Sequence, residues 1–169
     1  MDYLHQNNIL HRDLTTKNIL LTADFHAKLA DFGLSKKKLE DSSGSNTMGS
    51  VPWMAPEVLT NPKSFNRKSD VYSYAICLWE MFTGAQNLLD TEKSMVVLAQ
   101  EVIRGWRPEI PRTCPAQWGE LIQRCWCPEA AERLDFYSVV GVLKSRAFAC
   151  EVVMMVGSEY VTGLDFGDS

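Results

Sequence analysis

From about Ser69 to Phe82 apolar side chains recur at Val71, Tyr74, Ala75, Leu78, Trp79 and Phe82, the spacing of one helical face, while Tyr72 and Ile76 fill another. A helix that is apolar nearly all round belongs at the centre of its domain. Ser69 is its candidate cap and Gly84 its stop. The pattern predicts further helices packed around it: Thr91 to Ile103 through Met95, Leu98, Ala99 and Val102, then Trp118, Leu121, Ile122 and Cys125 after Pro115, then a fourth holding Val139, Val140 and Leu143. Pro108, Pro111 and Pro115 mark the loop before the third helix, and Ser42 to Ser50 form a polar loop. The first third differs. Ile19-Leu20-Leu21 and Ala27-Lys28-Leu29-Ala30 are short apolar runs joined by Thr22 to His26, the signature of a β-hairpin. The expected class is mainly α with a small β-hairpin.

In an antiparallel pair the start of one strand lies beside the end of the other, so Asn18 and Asp31, which bracket the two runs, should converge. An amide oxygen and a carboxylate suit a hard cation such as Mg²⁺, which takes few protein ligands and completes its shell with water and phosphate. Asp13, shortly before Asn18, is a second acid nearby.

The length of 169 residues with 46% hydrophobic content fits one domain with a sizeable core. A formal charge of −4 and a pI near 5.4 leave no basic excess for a phosphate backbone, so no nucleic-acid partner is expected. The one basic run, Lys36 to Lys38, is followed by Glu40 and Asp41 and has the character of a solvated loop. Five cysteines, Cys77, Cys114, Cys125, Cys127 and Cys150, are an odd number without an apolar export segment, so reduced thiols and a cytoplasmic location are expected. Cys125 and Cys127 are too closely spaced, and His5, His11 and His26 too far upstream, for a zinc site. The apolar stretch from Ala147 to Val156 is broken by Glu151, so no membrane segment is expected in this chain.

Three motifs in order carry a family resemblance: His11-Arg12-Asp13-Leu14 with Asn18, Asp31-Phe32-Gly33, and Ala55-Pro56-Glu57. Together they resemble the catalytic loop, metal-binding triplet and activation-segment end of eukaryotic protein kinases. The resemblance covers residues 1–148 and implies the C-terminal lobe of the kinase-like α+β fold, with the N-lobe absent. The tail, 149–169, has no assigned role; within it Val152 to Val156 either extends the last helix or pairs as a strand, and Asp165-Phe166-Gly167 repeats the triplet by coincidence. The resemblance implies ATP as co-substrate with Mg²⁺ or Mn²⁺, and a protein substrate. Asp13 resembles the base that accepts or orients the substrate hydroxyl proton, and Asn18 and Asp31 the metal ligands. Arg12 stands beside a segment with Ser42, Ser43, Ser45 and Thr47, where a phosphate would add nearly two negative charges; the same hydroxyls equally suit a merely soluble loop. Leu20 resembles the residue beneath the adenine ring, and a buried strand leucine would serve the core as well. Glu57 and Arg133 resemble a buried ion pair, and Asp70 a helix-end acid that braces the catalytic loop.

Thr15 stands where serine/threonine kinases usually place a lysine, and Lys17 is the candidate to supply that charge. The basic residue at this offset resembles one tyrosine-kinase pattern, yet Ser50 keeps a hydroxyl where tyrosine kinases usually have proline. Leu134 stands where proline usually follows the arginine. With Trp53-Met54-Ala55-Pro56-Glu57, Asp70-Val71-Tyr72-Ser73 and Cys125-Trp126, the chain most resembles the tyrosine kinase-like group, whose members mostly phosphorylate serine and threonine. It contains no glycine-rich loop, strand lysine or helix glutamate upstream of the catalytic loop. The expectation is therefore a fragment of an active kinase, inactive by itself, completed by an upstream N-lobe. The alternative is a non-catalytic interaction or regulatory module.

Overall fold

The computed structural model describes residues 1–31, 48–84, 93–145, 154–156 and 159–161. Its centre is α3, Arg67–Thr83, preceded by α1, Asp2–Gln6, and α2, Pro56–Thr60, and followed by α4, Met95–Ile103, α5, Ala116–Cys125, and α6, Phe136–Leu143. Val71, Tyr72, Ala75, Ile76, Cys77 and Leu78 of α3 are all buried, as its all-round apolar pattern requires. Helix α5 packs against α3, and α1 packs against α6. Phe136 of α6 meets Tyr74 edge-on at 5.4 Å and His5 of α1 at 5.1 Å, a favoured ring geometry.

The start of α3 differs from the expected Ser69 cap. Asn66 is the cap, its side chain accepting from Lys68 N at 2.8 Å, while Ser69 Oγ accepts from Asn66 N at 3.1 Å. This reciprocal box lies one polar turn ahead of the first apolar residue, and hydrophobic periodicity carries no signal there. At the other end Gly84 adopts φ 68°, the left-handed stop that glycine takes without a Cβ penalty. Ser94 caps α4 and Asp135 caps α6; residues 91 and 92, in the expected start of α4, lie outside the described residues. Two short helices, α1 and α2, fall below the length at which periodicity is informative.

The hairpin forms as expected. Strands β1, Ile19–Leu21, and β2, Ala27–Leu29, pair antiparallel with Ile19 opposite Leu29 and Leu21 opposite Ala27. Thr22 closes the turn: its N–H donates to His26 O and its Oγ1 accepts from His26 N, each at 3.0 Å. In the tail β3, Met154–Val156, pairs with β4, Glu159–Val161, the strand alternative for this stretch. Cys77 and Cys125 are core residues, and burial pushes the Cys125 thiol up to about 12, where it stays a protonated hydrophobe. Cys150 lies outside the described residues. Among the described residues no helix is long and apolar enough to cross a membrane.

This packing sets a stability expectation. Ile76→Ala should cost about 2–5 kcal/mol in urea unfolding, because a fully buried site cannot collapse around the lost methyls. Gly119→Ala in α5 should be neutral or stabilising by up to about 1 kcal/mol, since a Cβ there meets only Ile110 Cγ2 at 3.6 Å and alanine is the better helix former.

Candidate active site

The site hangs from one carboxylate. Asp70, in the first turn of α3, is fully buried; its Oδ2 accepts from His11 N at 3.0 Å and from His5 Nε2 at 2.8 Å, and its Oδ1 accepts from Arg12 N at 3.0 Å. Those bonds hold Arg12 at φ 70°, a left-handed conformation costing about 1–2 kcal/mol for a residue with a Cβ. The reversal puts Asp13 half-exposed on the surface while Leu14 returns to the core. His11 Nε2 and Ala30 O lie 3.2 Å apart, so the same loop is tied to the end of β2.

Asn18 follows on a short 3₁₀ turn, Thr16–Asn18, and joins the ladder: Ala30 N donates to Asn18 O at 2.8 Å. Residue 18 therefore lies beside residue 30 and next to Asp31, as the hairpin geometry demands. Asn18 Nδ2 donates to the Asp13 carbonyl at 2.7 Å and to Asp13 Oδ2 at 3.2 Å. Ser50 Oγ donates to Asp13 Oδ1 at 2.7 Å. Both oxygens of Asp13 are thus held by donors that fix its orientation.

With its amide nitrogen committed to Asp13, Asn18 has its carbonyl oxygen left for a cation, and Asp31 is exposed at φ 58° on the strand's end. This donor set is all oxygen and fits Mg²⁺ or Mn²⁺. Among the described residues no three His, Cys, Asp or Glu side chains gather to hold a metal unaided, so an ion here would complete its shell with water and phosphate oxygens. Phe32 and Gly33 of the triplet, and Ser42, Ser43, Ser45 and Thr47, lie outside the described residues.

Leu20 is 54% exposed, so its role is not core packing; with Leu21 it offers an apolar hairpin surface at the edge of the site. Lys17 is exposed beside the catalytic loop. Among the described residues Arg12 Nε and Nη1, both buried, meet no acceptor, a costly state that an anion would relieve.

One residue that sequence reasoning passed over is Glu80. It is 2% exposed and accepts from Trp53 Nε1 at 2.8 Å, while Ser73 Oγ donates to Trp53 O at 2.8 Å. Burial pushes the Glu80 carboxyl above its ordinary range, opposed by bonds from Trp53 and Thr16 and by the Lys17 charge. It thereby connects the catalytic loop, the Met48–Trp53 turn and α3. An acid inside Leu78-Trp79-Glu80-Met81 was the available signal.

Further from the chemistry, Arg133 Nη1 and Nη2 grip Glu57 Oε1 and Oε2 at 2.8 Å each, and Ser69 Oγ donates to Glu57 Oε1 at 2.8 Å. Arg133 also donates to the Cys127, Lys68 and Pro128 carbonyls, and Tyr72 lies 5.1 Å beneath its guanidinium. Burial pushes the Glu57 carboxyl up, but the Arg133 bonds and charge outweigh it and hold it below the ordinary value.

A buried acid thus braces the loop of Asp13, and a hairpin brings Asn18 beside the end of the strand that leads to Asp31. The family model for protein tyrosine and serine/threonine kinases matches residues 1–143. The chain belongs to that family. It is 39% identical over 145 residues, 85% of its length, to serine/threonine-protein kinase STY17 of Arabidopsis thaliana, and 36% identical over 147 residues, again 85%, to serine/threonine/tyrosine-protein kinase HT1 of the same plant. The dual specificity protein kinase shkA of Dictyostelium discoideum is 37% identical over 155 residues, 88% of the chain. The match spans 25%, 36% and 29% of those relatives' own lengths.

Arg133→Met should destabilise the fold by about 3–5 kcal/mol, because it strands Glu57 and three carbonyls. Since the folded-state value of Glu57 is depressed, its contribution is complete above the ordinary carboxylate value of about 4.3 and drains as pH falls through the lower folded value. Urea midpoints between pH 7 and pH 3 should fall less steeply for Glu57→Gln than for the native chain.

Proposed function

We propose that this chain is the catalytic-loop part of a protein kinase that transfers the γ-phosphate of ATP to serine or threonine hydroxyls of proteins. The observation that carries it is the Asp13 carboxylate held from both sides, by Ser50 at 2.7 Å and Asn18 at 3.2 Å, at the mouth of the hairpin. Asp13 orients the acceptor hydroxyl and takes its proton, in reach of an incoming side chain because the residue is half-exposed. Asn18 and Asp31 would hold Mg²⁺ or Mn²⁺, which would supply positive charge against the nucleotide's phosphates. Leu20 provides an apolar floor for the adenine, consistent with its exposure. Lys17 supplies positive charge near the transferred group, and the unsatisfied Arg12 donors await a phosphorylated hydroxyl of the 42–47 segment.

The Ser50 hydroxyl, the motif set and the names of the relatives support a serine/threonine enzyme of the tyrosine kinase-like group, with dual specificity the nearest alternative. An N-lobe carrying the glycine-rich loop and strand lysine completes the nucleotide cleft, and the 169 residues by themselves do not align the γ-phosphate. A cytoplasmic location is part of this proposal, supported by the free thiols of Cys77, Cys114, Cys125 and Cys127.

Steady-state transfer from radiolabelled ATP to casein tests the assignment. In the full-length protein Asp13→Asn should lower kcat about 10²–10⁴-fold with little change in the KM for ATP, and chelation of divalent ions should abolish turnover. The 169-residue chain alone should show no transfer above background. Robust turnover by Asp13→Asn would remove the proposed base.

A further inference from the structure

Two guanidiniums share the ring of Tyr72, Arg107 at 4.9 Å from its centre and Arg133 at 5.1 Å. Arg133 takes both oxygens of Glu57, and Arg107 is left with carbonyls: its Nε donates to Trp126 O at 3.0 Å and its Nη1 to Val102 O at 3.1 Å and Trp106 O at 2.7 Å. Among the described residues its buried Nη2 meets no acceptor, and the buried Tyr72 hydroxyl meets no partner. Two donors on neighbouring side chains are thus withdrawn from water with their bonds unmade, a costly state. The charge is unmatched as well. Burial, with repulsion from Arg133, lowers the Arg107 guanidinium from its ordinary value, yet an arginine keeps its proton. Burial also pushes the Tyr72 phenol up to about 12, so it offers a hydrogen and no negative charge. The Cys127 thiol, close enough to act on Arg107, donates to Gln123 O at 3.3 Å.

We propose that Arg107 Nη2 and the Tyr72 hydroxyl together hold one small monovalent anion of the chloride class, buried against α3 beside the ends of α4 and α5. A water molecule could accept from both donors but would leave the Arg107 charge uncompensated, whereas an anion meets both needs. Burial sets its size and charge. Tyr72 exposes no surface, so the ion has to shed its hydration shell, which costs a singly charged halide far less than a multiply charged phosphate. The carbonyls that Arg107 already binds belong to Val102 near the end of α4 and Trp126 just after α5. An anion on its free nitrogen therefore fastens both helix ends to α3. By neutralising Arg107 it also removes a repulsion on Arg133, the partner of Glu57. This is a structural ion apart from phosphate transfer, and it does not rest on the kinase assignment.

Crystals of the full-length protein grown in sodium bromide give the direct reading, with an anomalous peak expected within hydrogen-bond reach of both Arg107 Nη2 and Tyr72 Oη. In solution, chloride NMR line broadening at constant ionic strength, balanced with gluconate, should saturate. Tyr72→Phe keeps the ring and removes one donor to a charged acceptor, so it should raise the chloride dissociation constant about tenfold. The thermal midpoint of the native protein should climb with chloride, and that of Tyr72→Phe much less. Arg107→Lys keeps the charge but loses the planar fork, and should abolish the saturable broadening; where that variant misfolds, Tyr72→Phe decides. An ordered water at Nη2 without anomalous signal overturns the inference, as does a carboxylate of the protein bonded there. A bromide peak with broadening that never saturates, or that Tyr72→Phe leaves unchanged, marks an adventitious ion only and overturns it too. The kinase assignment stands or falls separately, on Asp13.

Discussion

A carboxylate with no contact with water holds the site in shape. Asp70 sits inside the hydrophobic core, where an unpaired charge would be prohibitive, and is tolerated because two backbone N–H groups and the His5 ring meet its oxygens. The benefit runs the other way too. The catalytic loop could not otherwise keep Arg12 in a left-handed conformation, and without that reversal Asp13 would not turn outward while Leu14 packs inward.

The rest of α3 repeats this arrangement along its length. Ser69 joins the Glu57 and Arg133 pair, Ser73 takes the Trp53 carbonyl, and Glu80 takes the Trp53 indole. An otherwise apolar helix thus carries four polar anchors, each matched to a loop that contributes to the site or its support. Because every partner of a buried polar group must be present for the group to be tolerated, such a network favours one loop arrangement over near alternatives. Asp13 stands at the end of this chain of anchors. Its own bonds to Ser50 and Asn18 are only part-buried, so rigidity below and accessibility above meet at one side chain.

The hairpin was legible almost to the residue, because alternation, a polar turn and antiparallel geometry are local properties, and from them the meeting of Asn18 with the neighbourhood of Asp31 followed. The central helix and its glycine stop were legible from periodicity. Its cap was not, since Asn66 acts through two bonds to its own neighbours and leaves no apolar mark. The exposure of Leu20 also lay beyond the sequence, where a leucine on a strand suits a core and a ligand floor equally well.

The kinase family and the helical class with its hairpin were written in the sequence alone, because motif spacing and hydrophobic period are encoded over short stretches. What only the tertiary structure decided is how the acids are held: Ser50 on Asp13, Trp53 on Glu80, His5 on Asp70. Those partners are separated by 37, 27 and 65 residues. No local rule links residues so far apart. They meet because folding buries α3, and a buried polar group must find a partner wherever in the chain one exists.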